Sequence, residues 1–113
     1  MNISITRESS IAVAAISGDV THATAPEVQK ALLDELTRSK GLILDFSQLK
    51  LLTSSGLRVL LLLHRTAADD DCRLVLAAVP EAVRDVMEIT GFWDQFDHYA
   101  SLAEARTALA GGH

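Results

Sequence analysis

The chain has 113 residues, of which 49% are hydrophobic, and a formal net charge of -5. This length and composition suffice to bury a core, so they exclude intrinsic disorder, and we expect one domain over residues 1–113. The acidic balance argues against a nucleic-acid or anionic-membrane surface, either of which would need a basic patch. We find no apolar run long enough to span a bilayer and no signal peptide, so we expect a cytoplasmic protein.

Two β-strands are predicted first, over residues 2–6 and 11–17, with a polar turn between them. The second is rich in Ile, Val and Ala, which favours a central position in a sheet. Gly18 and Asp19 are expected to end this strand, because both residue types are typical of turns.

The first helix is predicted to begin at Thr24, which forms a capping-box pattern with Glu27. Apolar residues then recur at helical spacing, and Glu35 is expected to border this apolar stripe. Gly41 is expected to end the helix, since glycine is common just past helix ends.

Strands and helices alternate through the rest of the chain. A second capping box, Ser101 with Glu104, marks the start of the last predicted helix. The predicted strands cover residues 42–46, 73–79 and 96–99, and the predicted helices cover about 55–68, 80–91 and 101–112, with a short turn after residue 46. This alternation predicts an α/β fold, with a mixed β-sheet of about five strands and about four helices.

Three hydroxyl residues in a row, Thr53, Ser54 and Ser55, stand where the second predicted helix begins. Hydroxyls are ordinary caps at such positions, and from the residues alone a cap is the simpler interpretation of Ser54. The free N–H groups of a helix start also favour an anion, so the folded domain would tolerate a phosphate on Ser54. That phosphate would add about −1.5 to −2 charge to the surface.

The same helix is predicted to have two different faces. Its core arc consists of Leu57, Val59, Leu60, Leu63 and His64. The opposite face carries Arg58 and Arg65, which are flanked by Leu61 and Leu62. Either a neighbouring element covers this mixed face, or it is a docking surface for another protein, and composition leaves both open.

Sequence features of an enzyme are weak in this chain. The histidines, His22, His64, His98 and His113, lack metal-ligand spacing, and Cys72 stands alone. There is no glycine-rich phosphate loop, and Ser54 lacks the glycine two residues earlier that a nucleophile elbow requires. We therefore expect no metal, no cofactor and no catalysis. Phe92 and Trp93 are interpreted as core packing rather than an exposed apolar spot.

The region around the three hydroxyls resembles a known family signature. Asp45-Phe46-Ser47, followed by Leu52-Thr53-Ser54-Ser55-Gly56-Leu57-Arg58-Val59-Leu60, looks like the signature of the STAS domain family. Within that family it resembles the bacterial anti-sigma-factor antagonists. Residues 17–20, 79–83 and 89–92 also resemble family turns and helix ends, so the resemblance extends over nearly the whole chain.

The resemblance implies a regulatory role for Ser54, the position of the family's phosphorylated serine. An anti-sigma-factor serine kinase would phosphorylate it with ATP, and a metal-dependent serine phosphatase would restore it. The unphosphorylated antagonist would bind the kinase and free the sigma factor, or another target, that the kinase held. The chain would then be a partner-switching module in signal transduction, not an enzyme. The alternative within the family is a scaffold or ligand-sensing STAS module that does not cycle through phosphate.

The resemblance also implies a binding face, and we expect the free chain to be a monomer. The residues assigned to this face are Gly18, Asp19, Val20, Thr21, His22, Thr53, Ser54, Ser55, Gly56, Arg58, Leu61 and Leu62. Two positions depart from the family, since many relatives carry aspartate where this chain has Thr21 and Thr53. Both changes remove negative charge near the phosphate position, which should either ease phosphorylation or remove contacts that a kinase uses, and the residues leave both open. Thr53 and Ser55 are the fallback acceptors.

Overall fold

The computed structural model describes residues 1–111, which form six strands and four α-helices in an α/β arrangement. The strands are β1 (Asn2–Glu8), β2 (Ile11–Val20), β3 (Gly41–Asp45), β4 (Leu49–Leu52), β5 (Arg73–Ala77) and β6 (Asp97–Tyr99). The helices are α1 (Ala25–Arg38), α2 (Ser54–Asp69), α3 (Glu81–Ile89) and α4 (Leu102–Gly111), with a 3-10 turn at Trp93–Gln95. The predicted fold class is confirmed. The expected end of the last helix at residue 112 lies outside the described residues.

The sheet is mixed, with strand order β1-β2-β3-β5-β6. β1 and β2 form an antiparallel hairpin, and the other pairs are parallel, as helical crossovers require. β2 is central, as expected from its composition, because it pairs with β1, β3 and β4. The strand does not end at Gly18 and Asp19. It continues to Val20 through an irregularity at those two residues, where β4 pairs alongside it.

β4 is the strand that the sequence did not predict, since its residues were interpreted as part of a turn. It is four residues long, and Leu49 and Leu52 are buried whereas Lys50 and Leu51 are exposed. Buried and exposed residues therefore do not alternate along β4, as they should in a half-buried strand. Pairing with the end of β2, a contact between distant parts of the chain, makes the segment a strand.

Two apolar layers lie on opposite faces of the sheet. The larger layer packs α1, α2 and α3 against side chains such as Leu42 and Leu44 of β3. The smaller layer packs Ala105 and Leu109 of α4 against Ile43 and its neighbours. Successive residues of β3 therefore face different layers, which explains why this strand is continuously apolar.

The helix caps differ from the predicted pattern. At α1 the capping box is wrong, because Thr24 makes no side-chain cap hydrogen bond. At α4 one half is confirmed, since Ser101 Oγ accepts from the N–H of Glu104 at 3.1 Å. The Glu104 carboxylate accepts from the N–H of Ala100, one residue before the expected donor. Each cap thus depends on where the preceding loop places its own donors.

Glu35 lies within the buried stripe of α1 rather than at its border, with 4% of its surface exposed. Arg7 of β1 forms a two-pronged pair with it, in which Nη2 lies 2.5 Å from Oε1 and Nε lies 3.3 Å from Oε2. The hydrogen bond and the charge of Glu35 raise the pKa of Arg7. A buried carboxylate is tolerated here because the pair satisfies both of its oxygens.

Candidate functional site

The end of β2 and the start of α2 lie side by side. Thr53 donates two hydrogen bonds to the Val20 carbonyl oxygen, from its backbone N–H and from its hydroxyl, each 3.1 Å long. This contact holds residues 18–22, which are the end of β2 and the start of the turn after it, beside the first turn of α2. The structure therefore brings together the two segments to which the sequence analysis assigned the binding face.

Hydroxyl groups also shape the turn between β2 and α1. Thr24 Oγ1 accepts from the N–H of Thr21 at 2.9 Å and donates to the Asp19 carbonyl at 3.0 Å. Thr21 Oγ1 accepts from the N–H of Ala23 at 3.2 Å. These local bonds define the turn and leave His22 exposed.

Ser54 is the first residue of α2, and it is exposed. The N-cap of this helix is Thr53, whose hydroxyl is turned towards Val20 and makes no cap hydrogen bond. Within residues 1–111, the Ser54 hydroxyl neither donates nor accepts a hydrogen bond. The cap interpretation of Ser54 is therefore wrong, and its hydroxyl lies at a helix start whose first turn carries no acidic residue.

The two faces of α2 are arranged as the periodicity predicted. Leu57, Val59, Leu60 and Leu63 are buried. His64 is half-buried, with its ring 5.1 Å from that of Phe96. On the opposite face Arg58, Leu62 and Arg65 are exposed, and Leu61 is half-buried. Ser54 lies on this outer face, since Arg58 and Leu62 follow it at intervals of four residues.

Two assigned residues, Val20 and Gly56, are buried and face the core. Gly56 lets α2 approach the sheet closely, because a Cβ there would lie 3.0 Å from Val20 Cγ1 and would overlap Leu52. Gly18 has a positive φ of 84°, which favours glycine at the irregularity in β2. These residues shape the face without offering a side chain to a partner.

A groove of about 700 Å³ runs between α1 and α2 beside this face. Its apolar lining includes Leu33 of α1 and Leu62 of α2, and Lys30 and Arg58 line it from opposite helices. The α1 side of this groove was not predicted from the sequence. The available signal was Leu33, an apolar residue on the otherwise polar outer face of the predicted helix.

Other singled-out residues lie away from this face. Phe92 and Trp93 are half-buried against the core, and Trp93 stacks on the His98 ring with centroids 3.9 Å apart, which supports the packing interpretation. Cys72 is buried, and desolvation raises the pKa of its thiol to about 11. Within residues 1–111, no three His, Cys, Asp or Glu side chains form a group that could hold a metal ion. No helix in the described part of the chain combines the length and apolar character needed to cross a membrane.

Comparison with known proteins identifies relatives along almost the full length of the chain. The family model described as STAS domain matches residues 2–105. A Bordetella bronchiseptica protein called BtrV, described as a candidate anti-sigma factor antagonist, is 29% identical over 114 residues, covering 96% of this chain and 98% of BtrV.

Two relatives of known structure share the fold. An anti-sigma factor antagonist from Mycobacterium paratuberculosis has a TM-score of 0.87 at 24% identity, covering 96% of this chain and 93% of that one. The unphosphorylated form of the anti-sigma factor antagonist SpoIIAA has a TM-score of 0.84 at 18% identity, covering 97% of each chain. SpoIIAA of Bacillus in its phosphorylated form has a TM-score of 0.75 at 16% identity, covering 96% of this chain and 99% of that one.

Proposed function

The chain belongs to the STAS domain family, and from that premise we propose that it is an anti-sigma-factor antagonist in a partner-switching pathway. In this role it is a regulatory binding module of residues 1–113 and not an enzyme. The unphosphorylated form binds an anti-sigma-factor serine kinase and releases the target that the kinase held. Phosphorylation of Ser54 ends that binding. The relative described as an anti-sigma factor antagonist supports the proposal.

The observation that carries the proposal is the position of Ser54. Its hydroxyl is exposed at the start of α2 and caps nothing, so a kinase can reach it without unfolding the helix. The positive end of the helix tolerates the added phosphate. Thr53 is a weaker acceptor than Ser54, because its hydroxyl is already bonded to Val20.

A phosphate can switch binding off without changing the fold. Phosphoserine carries about −1.5 to −2 charge at pH 7. A partner that covered Ser54 would have to desolvate this charge, at a cost of up to about 3–5 kcal/mol where no group pairs with it. At about 1.4 kcal/mol per tenfold change, this cost lowers the affinity on the order of a hundred- to a thousandfold.

The proposal includes a cycle with two partners. The kinase transfers phosphate from ATP to Ser54, and a metal-dependent serine phosphatase removes it. Since the kinase reaction consumes ATP, we place this cycle in the cytoplasm, with the antagonist monomeric when free.

The test compares Ser54→Ala and Ser54→Glu as baits for host lysate, with mass spectrometry to identify bound proteins. We expect the alanine bait to capture a serine kinase that the glutamate bait loses. Ser10→Glu is the matched control, because it adds the same charge in the β1–β2 turn at the opposite end of the parallel strands. If Ser54→Glu and Ser10→Glu capture the kinase equally, the switch is refuted and the non-cycling scaffold or ligand sensor is favoured.

A second variant tests the binding face apart from the phosphate. Leu62 is exposed on the outer face of α2, so Leu62→Asp should weaken kinase binding in calorimetry while the melting temperature stays nearly constant. Leu61 is half-buried, and Leu61→Asp should weaken binding with some loss of stability. Unchanged affinity in both variants would contradict the assigned face.

A further inference from the structure

The α1–α2 groove is basic, although the whole chain carries a net charge of -5. The charged or titratable side chains that line it are His22, Lys30 and Arg58. Among residues 1–111, no acidic side chain lines the groove, and α2 has no acidic residue before Asp69. The groove therefore combines local positive charge with apolar lining from both helices.

The groove cations are not used inside the described part of the chain. The four ion pairs of residues 1–111 use Arg7, Arg38, Arg84 and Arg106. Arg58 and Lys30 take part in none of them, and both side chains are exposed. An exposed arginine flanked by apolar residues is typical of protein-binding surfaces, whose central residues are enriched in arginine.

We infer that Arg58 is the residue through which the Ser54 switch acts. In the unphosphorylated chain, Arg58 and Lys30 bind carboxylates of an acidic, partly apolar segment of the kinase that lies in the α1–α2 groove. The phosphate on Ser54 then pairs with Arg58 and takes it away from the kinase. This inference rests on the proposed function, and it names the surface chemistry of the partner and the means of release.

Helix geometry brings the phosphate and Arg58 together. Residues four apart on a helix have Cβ atoms about 5–6 Å apart. An anion at the N-terminal position and a cation four residues later is the favourable order for such a pair. Because arginine binds phosphate oxygens through two parallel hydrogen bonds, phosphoserine 54 is a strong competitor for the Arg58 guanidinium.

Charge complementarity selects the occupant of the groove. An acidic segment is attracted by Lys30 and Arg58, whereas a basic or purely apolar segment would leave both cations without partners. The groove is continuous with the Ser54 face, since Ser55, Arg58 and Leu62 line it. One partner can therefore cover Ser54 and fill the groove at the same time.

The phosphate contact can be tested without any partner. Phosphoserine is incorporated at position 54 by genetic code expansion, and the second pKa of its phosphate is measured by ³¹P NMR at low salt. We expect this pKa to be lower in the wild-type background than in Arg58→Gln by at least about 0.3, the shift that an ordinary exposed pair four residues apart would give. Arg65→Gln is the matched control, because Arg65 lies eleven residues along the helix, or about 16 Å. Equal values in the wild-type and Arg58→Gln backgrounds would overturn the contact.

The shared use of Arg58 is tested with the kinase that the Ser54→Ala bait recovers. We expect Arg58→Gln alone to lower the affinity for the kinase about tenfold. Adding Ser54→Glu should lower that affinity about tenfold further in the Arg58→Gln background, instead of the roughly hundredfold that Ser54→Glu costs in the wild type. An undiminished effect of Ser54→Glu in Arg58→Gln would refute this mechanism and leave the switch itself standing. If Ser54→Glu has no effect in the wild-type background, the proposed function fails instead.

The expected negative charge of the bound kinase segment is tested by reversing the charge of a groove residue. Lys30→Glu should weaken kinase binding at least about tenfold. Lys40→Glu makes the same charge change before β3, at the far end of the parallel strands, and should leave the affinity unchanged. Equal effects of the two variants would show that only the net charge matters and would overturn the acidic segment in the groove.

Discussion

Thr53 and Val20 join the two halves of the candidate site, since one carbonyl oxygen of β2 accepts both the N–H and the hydroxyl of Thr53. The hydroxyl therefore does not cap α2 and instead binds it to the sheet. A carboxylate at this position could not donate this second bond. The threonine hydroxyl supplies this donor, which fixes the start of the helix.

Thr53→Val should lower the free energy of unfolding by about 1 kcal/mol, the usual net value of one hydrogen bond. The backbone bond to Val20 remains, so the helix start should loosen without unfolding. Thr37→Val is the control, because the Thr37 hydroxyl bonds only to the Asp34 carbonyl within α1 and is exposed. Urea unfolding measures both variants, and an equal or larger loss in Thr37→Val would contradict the joining role of Thr53.

Gly56→Ala should destabilise the fold by up to about 2 kcal/mol, because the added methyl group overpacks the contact of α2 with Val20 and Leu52, a cost of about 1–3 kcal/mol that outweighs the gain in helix propensity. Helix propensity alone predicts the opposite sign, since alanine is favoured over glycine by about 1 kcal/mol. The sign of the change in urea unfolding therefore separates packing from propensity. Ser55→Ala, one residue earlier, should change stability little, and a stabilised Gly56→Ala variant would refute the close approach.

Arg7→Ala should lower the melting temperature more than Arg38→Ala. Loss of Arg7 leaves the Glu35 carboxylate buried without its ion-pair partner, whereas Arg38 pairs with the exposed Asp34 on the surface of α1. The double variant Arg7→Ala with Glu35→Gln should recover part of the loss, since it removes the buried charge. Equal melting temperatures for the two single variants would contradict this ranking.

Cys72 should make stability fall at alkaline pH. Burial raises the pKa of its thiol to about 11 in the folded chain, from an ordinary value of 9.0. Between these pH values the unfolded chain has lost the thiol proton and the folded chain retains it, so ionisation favours unfolding as pH rises from about 9 to 11. Unfolding free energies of the wild type and Cys72→Ala, compared across this window, should converge. Parallel curves would show that ionisation of the Cys72 thiol does not cause the loss of stability at alkaline pH.

The sequence was sufficient for the features that depend on local periodicity. The periodicity of α2 correctly predicted that Leu57 and Leu63 are buried and that Arg58 and Arg65 are exposed. The alternation of strands and helices gave the correct fold class, and the family signature was confirmed. Each of these features depends on the spacing of apolar residues along a short stretch of chain, because one face of each helix or strand must be buried.

Hydrogen-bond partners were less predictable. Thr24 and Ser54 both stand where a cap is expected, but the Thr24 hydroxyl donates to the Asp19 carbonyl within its own turn, and the Ser54 hydroxyl makes no hydrogen bond in the described chain. A hydroxyl can satisfy several nearby groups with similar energy, so the path of the preceding backbone decides which partner it finds.

The sequence by itself determined the fold class and the two faces of α2, because these reside in residue type and spacing. The choice of Ser54 as the switch came from the family resemblance of its segment and stays a prediction. Only the tertiary structure decided that β4 is a strand, that the buried Glu35 pairs with Arg7, and that Lys30 and Arg58 line one groove from two helices. Each of these joins residues far apart in the chain. Their contact energies arise only after the intervening segments have folded, and no local pattern records them.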